Sequence, residues 1–252
     1  MKYPTDVPVK IIQLGAGGTG GHIAPHLYRL LYALNRNARY IICDGDIVEE
    51  KNLVRQNFAP ADLKENKARV LAERYATVFG MEAEYVPSFI EDLDTLMKLV
   101  TPELWELTDY SYQKTPEMVM LLGAVDNDKS RQLCHKAFYQ SANLIYIDSG
   151  NGEFSGQVVC GVRRNGRTAY KPIGGVHPEL LRSKDKFPTE LSCAEAAISD
   201  PQSMAANITA ATAVVDMVYN ILTHGESYVR QTDFSTRSIK MQTIMEKQRR
   251  AA

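Results

Sequence analysis

The chain has 252 residues, 44% of them hydrophobic, and a formal net charge of −1. This length and apolar content suffice for one large core, or for a core with a small appendage. The balanced charge gives no bias toward polyanions, so no nucleic-acid partner is expected. No run of about 18 apolar residues is present, so no membrane-spanning segment is expected, and no signal peptide is visible.

The four cysteines, Cys43, Cys134, Cys160 and Cys193, are scattered and form no CxxC pair. Neither a structural zinc nor a disulfide framework is therefore expected. Together with the composition, this cysteine usage indicates a reduced, cytoplasmic, soluble enzyme.

The N-terminal segment predicts a nucleotide-binding unit. A short apolar run, Val9–Leu14, stops at a cluster of glycines in residues 15–21. A helical pattern follows, with Pro25 interpreted as lying in the first turn, where its missing N–H does no harm. A second strand at residues 39–43 ends in Asp44-Gly45-Asp46, which completes a strand–glycine loop–helix–strand unit ending in an acid.

The following pattern alternates strands and helices. It predicts a helix at 61–75, strands at 83–89 and 118–125, a helix at 130–142 and a strand at 144–147. Residues 101–117 are poorly periodic and are interpreted as a surface excursion. This alternation predicts a parallel sheet covered by helices on both faces.

The pattern changes in the C-terminal third. Asn165-Gly166 predicts a hairpin between strands at 156–162 and 168–171, and residues 172–192 are interpreted as a functional or mobile loop. A long apolar helix at 205–222 and one strand at 233–244 follow. We therefore expect a single α/β domain, with a Rossmann-like, mostly parallel sheet and a C-terminal antiparallel extension. Its nucleotide-binding part covers about 7–162, and the crossover segment and C-terminal part about 163–252.

The glycine loop is the first candidate site, through Gly15, Gly17, Gly18 and Gly20. Glycines after a strand let the backbone approach a phosphate, and the following helix offers free N–H groups. Asp44 ends the second strand, where an acid accepts hydrogen bonds from ribose hydroxyls. These features fit NAD, FAD and ATP equally, and a tight turn without a ligand is the alternative.

Residues 44–56 distinguish between these nucleotides, since they combine acids, an amide and a guanidinium in one loop. Hydride transfer has no use for Arg55 and Gln56 directly beyond the ribose-binding acid. Binding a triphosphate does use such residues, because arginine offers a planar fork of donors to phosphate oxygens. For any one of these residues alone, a solvated charged loop is the alternative.

Three ordered motifs resemble the ThiF/HesA/MoeB family, the bacterial relatives of ubiquitin-activating enzymes. They are the glycine loop, the string Asp-x-Asp-x-Val-x-x-x-Asn-Leu-x-Arg-Gln at 44–56, and Asp-Asn-x-x-x-Arg at 126–131. The resemblance covers about 9–162. It implies ATP-dependent adenylation of the C-terminal carboxylate of a small ubiquitin-like or sulfur-carrier protein. It also implies a homodimer, and a conjugating-enzyme-like partner is possible in this scheme.

The resemblance assigns nucleotide-binding roles residue by residue. Asp44 would hold the ribose, with Asp46 beside it in the same string. Asn52, Arg55 and Gln56 would meet the phosphates.

It also assigns catalytic roles. Lys67 would contact the triphosphate and Asp126 would bind Mg²⁺, while Asn127 and Arg131 complete the later motif. Adenylation is an in-line attack on the α-phosphate, so the site needs cations and a metal more than a strong base. Arg55, Lys67 and Asp126 are therefore the expected catalytic residues. Taken alone, Lys67 fits a surface lysine and Asp126 a helix cap.

Cys193 is the candidate nucleophile for a second step. A cysteine near a helix N-terminus has a lowered pKa. In the family, the crossover segment can carry a cysteine that takes the activated carboxylate as a thioester. The PRTRC-type ThiF proteins, a plasmid-borne branch, carry a similar Ser-Cys segment with a later asparagine like Asn207. A small buried packing residue is the alternative.

The sequence departs from the family in three places. It lacks the paired CxxC motifs, and Lys2 and Lys10 are the only cations where some members supply an N-terminal arginine to the γ-phosphate. The loop between Leu34 and Arg39 is also longer and more polar than is usual in the family.

Two other functions remain open, an NAD-dependent oxidoreductase and a non-catalytic scaffold of the same fold. Residues 52–56 and Lys67 argue against the oxidoreductase. The intact set of Arg55, Lys67 and Asp126 argues against the scaffold.

Overall fold

A nine-stranded sheet is the framework of the computed structural model, which describes residues 1–106, 114–191 and 202–245. In chain order the strands are β1 (Val9–Leu14), β2 (Ala38–Cys43), β3 (Glu84–Val86), β4 (Leu104–Glu106), β5 (Lys114–Pro116), β6 (Met118–Gly123), β7 (Leu144–Asn151), β8 (Ser155–Arg164), β9 (Arg167–Tyr170), β10 (Val229–Ser235) and β11 (Lys240–Met245). Strands β4 and β5 pair with each other in a separate two-stranded sheet, and the other nine form the main sheet. Within it, strands β3, β2, β1, β6 and β7 are parallel and adjacent in that order. The order reverses between β1 and β6, where Rossmann-like sheets open a ligand crevice.

Helices cover both faces of the sheet, as predicted. They are α1 (Gly18–Leu34), α2 (Lys67–Phe79), α3 (Leu93–Val100), α4 (Asp128–Gln140), α5 (Ile173–Val176) and α6 (Met204–His224). Successive strand residues face opposite sides, so Ile11 joins the core under α1, α2 and α6 while Ile12 joins the core under α3, α4 and α5. The sequence analysis did not predict α3.

The C-terminal extension is antiparallel, as predicted, with β8 pairing with β7, β9 and β10. Asn165 and Gly166 have φ values of 50° and 72°, as the predicted hairpin turn requires. The single strand expected at 233–244 is wrong. The chain reverses after Ser235, and β10 and β11 pair antiparallel. Residues 236–239 contain no glycine, proline or asparagine, so the alternating pattern concealed the turn.

Two helix predictions were wrong at their starts. The helix expected at 61–75 begins at Lys67, because Asn66 caps it by accepting the Arg69 N–H, and residues Pro60–Asp62 form a separate 3₁₀ turn. Helix α1 begins at Gly18, so Pro25 lies in its interior and not in its first turn.

Helix α6 is the one described helix long and apolar enough to cross a membrane. It packs against α1, β7, β8 and β10, and Val214, Val218 and Ile221 on this side are buried. Its apolar composition therefore reflects a core position.

Candidate functional site

The glycine loop lies at the carboxyl edge of the sheet, where the strand order reverses. The Gly15 N–H donates to the Cys43 carbonyl at 2.9 Å, and the Ala124 N–H donates to the Leu14 carbonyl at 2.8 Å. Gly15 has φ +96°, and a Cβ there would overlap the Ala124 carbonyl. The loop is therefore held between the ends of β2 and β6, at a position that only glycine can take.

The start of α1 is open toward a ligand. Gly17 occupies the cap position, and no side chain caps the helix. The first N–H groups of an α-helix have no partner within the helix, and they carry the positive end of its dipole. A Cβ at Gly17 would approach only Gln56 Nε2, at 3.9 Å, whereas one at Gly20 would overlap the Gly15 carbonyl. Gly17 thus faces open space, and Gly20 allows the loop to pack tightly.

Gln56 faces this helix start with an unused hydrogen-bonding atom. Its side chain is 9% exposed, and its Oε1 atom has no partner among the described residues. Its N–H donates to the Asn52 carbonyl at 2.8 Å, and Asn52 Oδ1 accepts the Glu49 N–H at 2.9 Å. Asn52 therefore shapes the turn that presents Gln56. A buried amide oxygen without a described partner, beside an uncapped helix, fits a site for a polar ligand that can donate a hydrogen bond.

Asp44 is anchored by the loop it faces. Its Oδ2 accepts the Ala16 N–H at 2.6 Å, and its Oδ1 accepts the Asp46 N–H at 2.8 Å. Burial raises the pKa of Asp44 to about 6, although nearby Lys67 favours the charged form. This carboxylate is at the end of β2, where a ribose acceptor is expected.

Lys67 brings a cation to the same edge. Its Nζ donates to Asp46 Oδ2 at 2.9 Å, and its side chain is 7% exposed. Asn66 Nδ2 donates to the Asp44 carbonyl at 2.9 Å, which fixes the start of α2 against the loop after β2.

Arg55 lies at the start of α1, held by residues distant in sequence. Its Nη1 donates to Gln202 Oε1 at 3.0 Å and approaches Asn207 Oδ1 at 3.5 Å. Asn207, near the start of α6, is completely buried. A Cβ at Gly18 would overlap the Asn207 amide, so Gly18 lets α6 pack against the helix start.

The same contacts continue to β7. Asn207 Nδ2 donates to Thr19 Oγ1 at 3.4 Å, and Thr19 Oγ1 donates to Asn151 Oδ1 at 2.9 Å. Sequence reasoning included Asn207 only through the resemblance, and it missed Thr19, Gln202 and Asn151. An amide within the apolar pattern of α6 was the one local signal.

Asp126 lies three residues beyond the end of β6, beside the backbone that overlies Gly15, and it is exposed. Asn127 caps α4. Arg131 pairs with buried Asp148 at 3.1 Å and donates to the Val125 carbonyl at 2.7 Å, which fixes the loop carrying Asp126. No cluster of three metal-ligating side chains occurs in the described ranges. Magnesium needs no such cluster, since it uses one or two carboxylates together with substrate phosphates.

A cleft of about 400 Å³ adjoins the helix start. Its lining residues are Gly150, Asn151, Gly152, Ser155, Gly156, Gln157, Asp233 and Phe234. Asn151 links this cleft to α1, because it also accepts the Thr19 hydrogen bond. Of the three glycines in its wall, Gly152 faces open space, whereas a Cβ at Gly156 would overlap Phe234.

The four cysteines are the remaining candidate residues. Cys193 lies outside the described residues. Cys43, Cys134 and Cys160 are buried, and burial raises the pKa of each thiol to about 12, so all three are poor nucleophiles. None of them is suited to accept an activated carboxylate.

The two N-terminal lysines are engaged elsewhere. Lys10 lies on β1, where its Nζ pairs with buried Glu117 at 3.1 Å and donates to the Thr101 carbonyl. Lys2 forms a backbone bridge with Glu226, just beyond the C-terminal end of α6. Neither lysine reaches the glycine loop within this chain.

The sheet order and the open, glycine-bounded helix start define a Rossmann-like nucleotide-binding protein. The chain belongs to the ThiF family, whose model matches residues 8–251. No curated protein matches the sequence.

Solved structures with the same fold include PaaA in selenomethionine form, with a TM-score of 0.62 and 18% identity over 94% of this chain and 64% of that one. Escherichia coli MccB with succinimide has a TM-score of 0.64 and 17% identity over 94% of this chain and 63% of that one. Escherichia coli MccB with ATP has a TM-score of 0.59 and 16% identity over 96% of this chain and 64% of that one. The chain thus spans less than two thirds of these structures, and at such identities the likeness concerns the fold.

Proposed function

We propose that the protein is an ATP-dependent adenylyltransferase that activates the C-terminal carboxylate of a small protein or peptide. One observation carries the proposal. The uncapped start of α1 is flanked by Gln56, whose Nε2 faces Gly17, and by the Arg55 guanidinium, and Lys67 adds a second cation at the same sheet edge. An anion bearing several phosphates suits this arrangement better than a nicotinamide dinucleotide does.

Each group around the loop has a role in this proposal. The N–H groups at the start of α1 and Gln56 Nε2 would donate to phosphate oxygens, and Asp44 would accept from the ribose. Arg55 and Lys67 would offset the charge of the triphosphate, with Lys67 exchanging its partner Asp46 for a phosphate. Asp126 would hold Mg²⁺, which would draw charge from the leaving pyrophosphate.

The reaction forms a bond between a carboxylate oxygen and the α-phosphorus, and the bond from that phosphorus to pyrophosphate breaks. The products are an acyl adenylate and pyrophosphate. A terminal carboxyl group has a pKa of roughly 3.5, so it is already ionised at neutral pH and needs no base. Repulsion between two anions is the main barrier, and fixed cations lower it.

The cleft beside Asn151 supports the proposed substrate class. Its glycine-rich wall would admit the extended tail of a ubiquitin-like or sulfur-carrier protein, with its terminal carboxylate next to the α-phosphate. MccB has been solved with ATP and, separately, in complex with N-formylated MccA. A short peptide with a free C-terminal carboxylate is the second substrate to test. Transfer of the activated carboxylate to Cys193, a homodimer and a conjugating-enzyme-like partner belong to the same proposal.

The test measures binding and chemistry separately. Calorimetry should detect MgATP and not NAD, and pyrophosphate exchange should require a substrate with a free C-terminal carboxylate. Arg55→Ala should lower exchange by roughly 10²-fold, as expected when one charge-stabilising donor is lost. Lys51→Ala is the matched control, because Lys51 is an exposed cation of the same loop paired with Glu49. Micromolar NAD binding without ATP binding would overturn the proposal.

A further inference from the structure

We propose that Asn207 and Gln202 form a neutral amide cradle that positions the Arg55 guanidinium at the start of α1 without neutralising its charge. The inference rests on the proposed function and adds two positioning residues to it. Both amides lie in the C-terminal part of the chain, and their oxygens face Arg55.

The cradle is built from side-chain oxygens that carry no formal charge. Arg55 Nη1 donates to Gln202 Oε1 at 3.0 Å, and Asn207 Oδ1 lies 3.5 Å away. Among the described residues no carboxylate forms an ion pair with Arg55, whereas Arg39, Arg74 and Arg131 all pair with acids. The charge of Arg55 therefore remains available for an anionic ligand.

The orientation of the Asn207 amide is defined by its surroundings. Its Nδ2 donates to Gln202 Oε1 at 3.2 Å and approaches Thr19 Oγ1 at 3.4 Å, which leaves Oδ1 toward the guanidinium. The reverse orientation would place an NH₂ group against another donor. Complete burial of Asn207 against Gly18 prevents the amide from moving away.

The chemical reason for amides is the triphosphate. A carboxylate at either position would hold Arg55 more firmly, because it would add the attraction of an ion pair to the hydrogen bond. It would also cancel the guanidinium charge and repel phosphate. A neutral acceptor restrains the long arginine side chain and preserves its attraction for the nucleotide.

The test compares acidic and small neutral variants at the two positions. We expect Asn207→Asp and Gln202→Glu to weaken binding of MgATP and of pyrophosphate about tenfold or more, because a charge at hydrogen-bond distance outweighs a lost neutral contact. Asn207→Ser and Gln202→Ala should weaken binding less. Calorimetry gives the affinities, and thermal melting reports on the fold. Gln202 is only half-buried, so its variants remain informative if those of Asn207 unfold.

If Asn207 served only in packing, its acidic and small neutral variants would rank in the opposite order. Aspartate nearly matches asparagine in shape, so Asn207→Asp would then be milder than Asn207→Ser in both melting temperature and ATP affinity. That order would overturn the inference. Gln140→Glu, on the exposed C-terminal end of α4, is the charge-matched control, and equal weakening there would also overturn it. If the wild-type protein binds no ATP, the proposed function itself fails, which is a distinct result.

Discussion

The Asn57 side chain replaces a backbone hydrogen bond that Pro25 cannot make. Pro25 lies inside α1, and the carbonyl four residues earlier, that of Gly21, accepts from Asn57 Nδ2 at 2.9 Å. The segment that carries Arg55 and Gln56 is thereby attached to the glycine-loop helix. The tertiary structure thus supplies the Gly21 carbonyl with the donor that Pro25 lacks.

This relationship predicts that substitutions at Asn57 and Pro25 have coupled effects on stability. Asn57→Ala should lower the free energy of unfolding by about 1–3 kcal/mol, because a buried carbonyl loses its donor. Pro25→Ala restores a helical N–H, so the same Asn57→Ala change should cost less in that background. Urea unfolding of the four proteins measures the coupling energy. Equal costs in both backgrounds would contradict it.

Asp126→Asn should abolish Mg²⁺-dependent adenylation and leave the fold intact. In the proposed function Asp126 holds the metal, so its loss would remove charge that offsets the phosphates, and we expect a rate loss of roughly 10²-fold or more. Asp126 is exposed, and its variant should melt with the wild type. Asp94→Asn, an exposed acid on α3, is the control. Pyrophosphate exchange within threefold of the wild type would place the metal elsewhere.

Asp44 should make ATP binding depend on pH. Its folded-state pKa is about 6, because burial disfavours the carboxylate. The charged form is the stronger acceptor for ribose hydroxyls, so affinity should fall as pH drops below about 6. Calorimetry from pH 5 to 8 checks this, and Asp44→Asn should bind more weakly with that dependence removed.

The raised pKa of Asp44 affects folding stability in the opposite direction to ATP affinity. An unfolded aspartate ionises near pH 3.9, so between about 4 and 6 the folded state binds more protons than the unfolded state. The stabilising contribution of protonated Asp44 is therefore present below this window and is lost as pH rises through it. Asp44→Asn should flatten this part of the stability curve.

Cys193→Ala should separate the two half-reactions. In the proposed function, adenylation depends on the glycine loop, Arg55, Lys67 and Asp126, so pyrophosphate exchange should survive. A thiol-sensitive conjugate with the substrate protein should disappear, because alanine cannot form a thioester. A non-reducing gel of enzyme, ATP and substrate decides the question. A covalent band that persists in the variant would rule this cysteine out.

The sequence by itself determined the features that depend on neighbouring residues. The stop of β1 at a glycine cluster, Asp44 at the end of β2 and the hairpin at Asn165-Gly166 are all local, so spacing and residue type predicted them. Alternating strands and helices gave the two-faced sheet for the same reason. The joint spacing of residues 44–56 and 126–131 indicated the family, which the match over residues 8–251 confirmed.

Only the tertiary structure decided which distant side chains meet at the helix start. Arg55 and Asn207 are 152 positions apart, and Thr19 and Asn151 are 132 apart. Their contacts depend on α6 packing against α1 and on β7 lying beside β6, which no local pattern encodes. Side-chain burial is likewise a property of the whole assembly, because it depends on elements contributed by every part of the chain. The raised pKa of Asp44 and the neutral surroundings of Arg55 arise in this way.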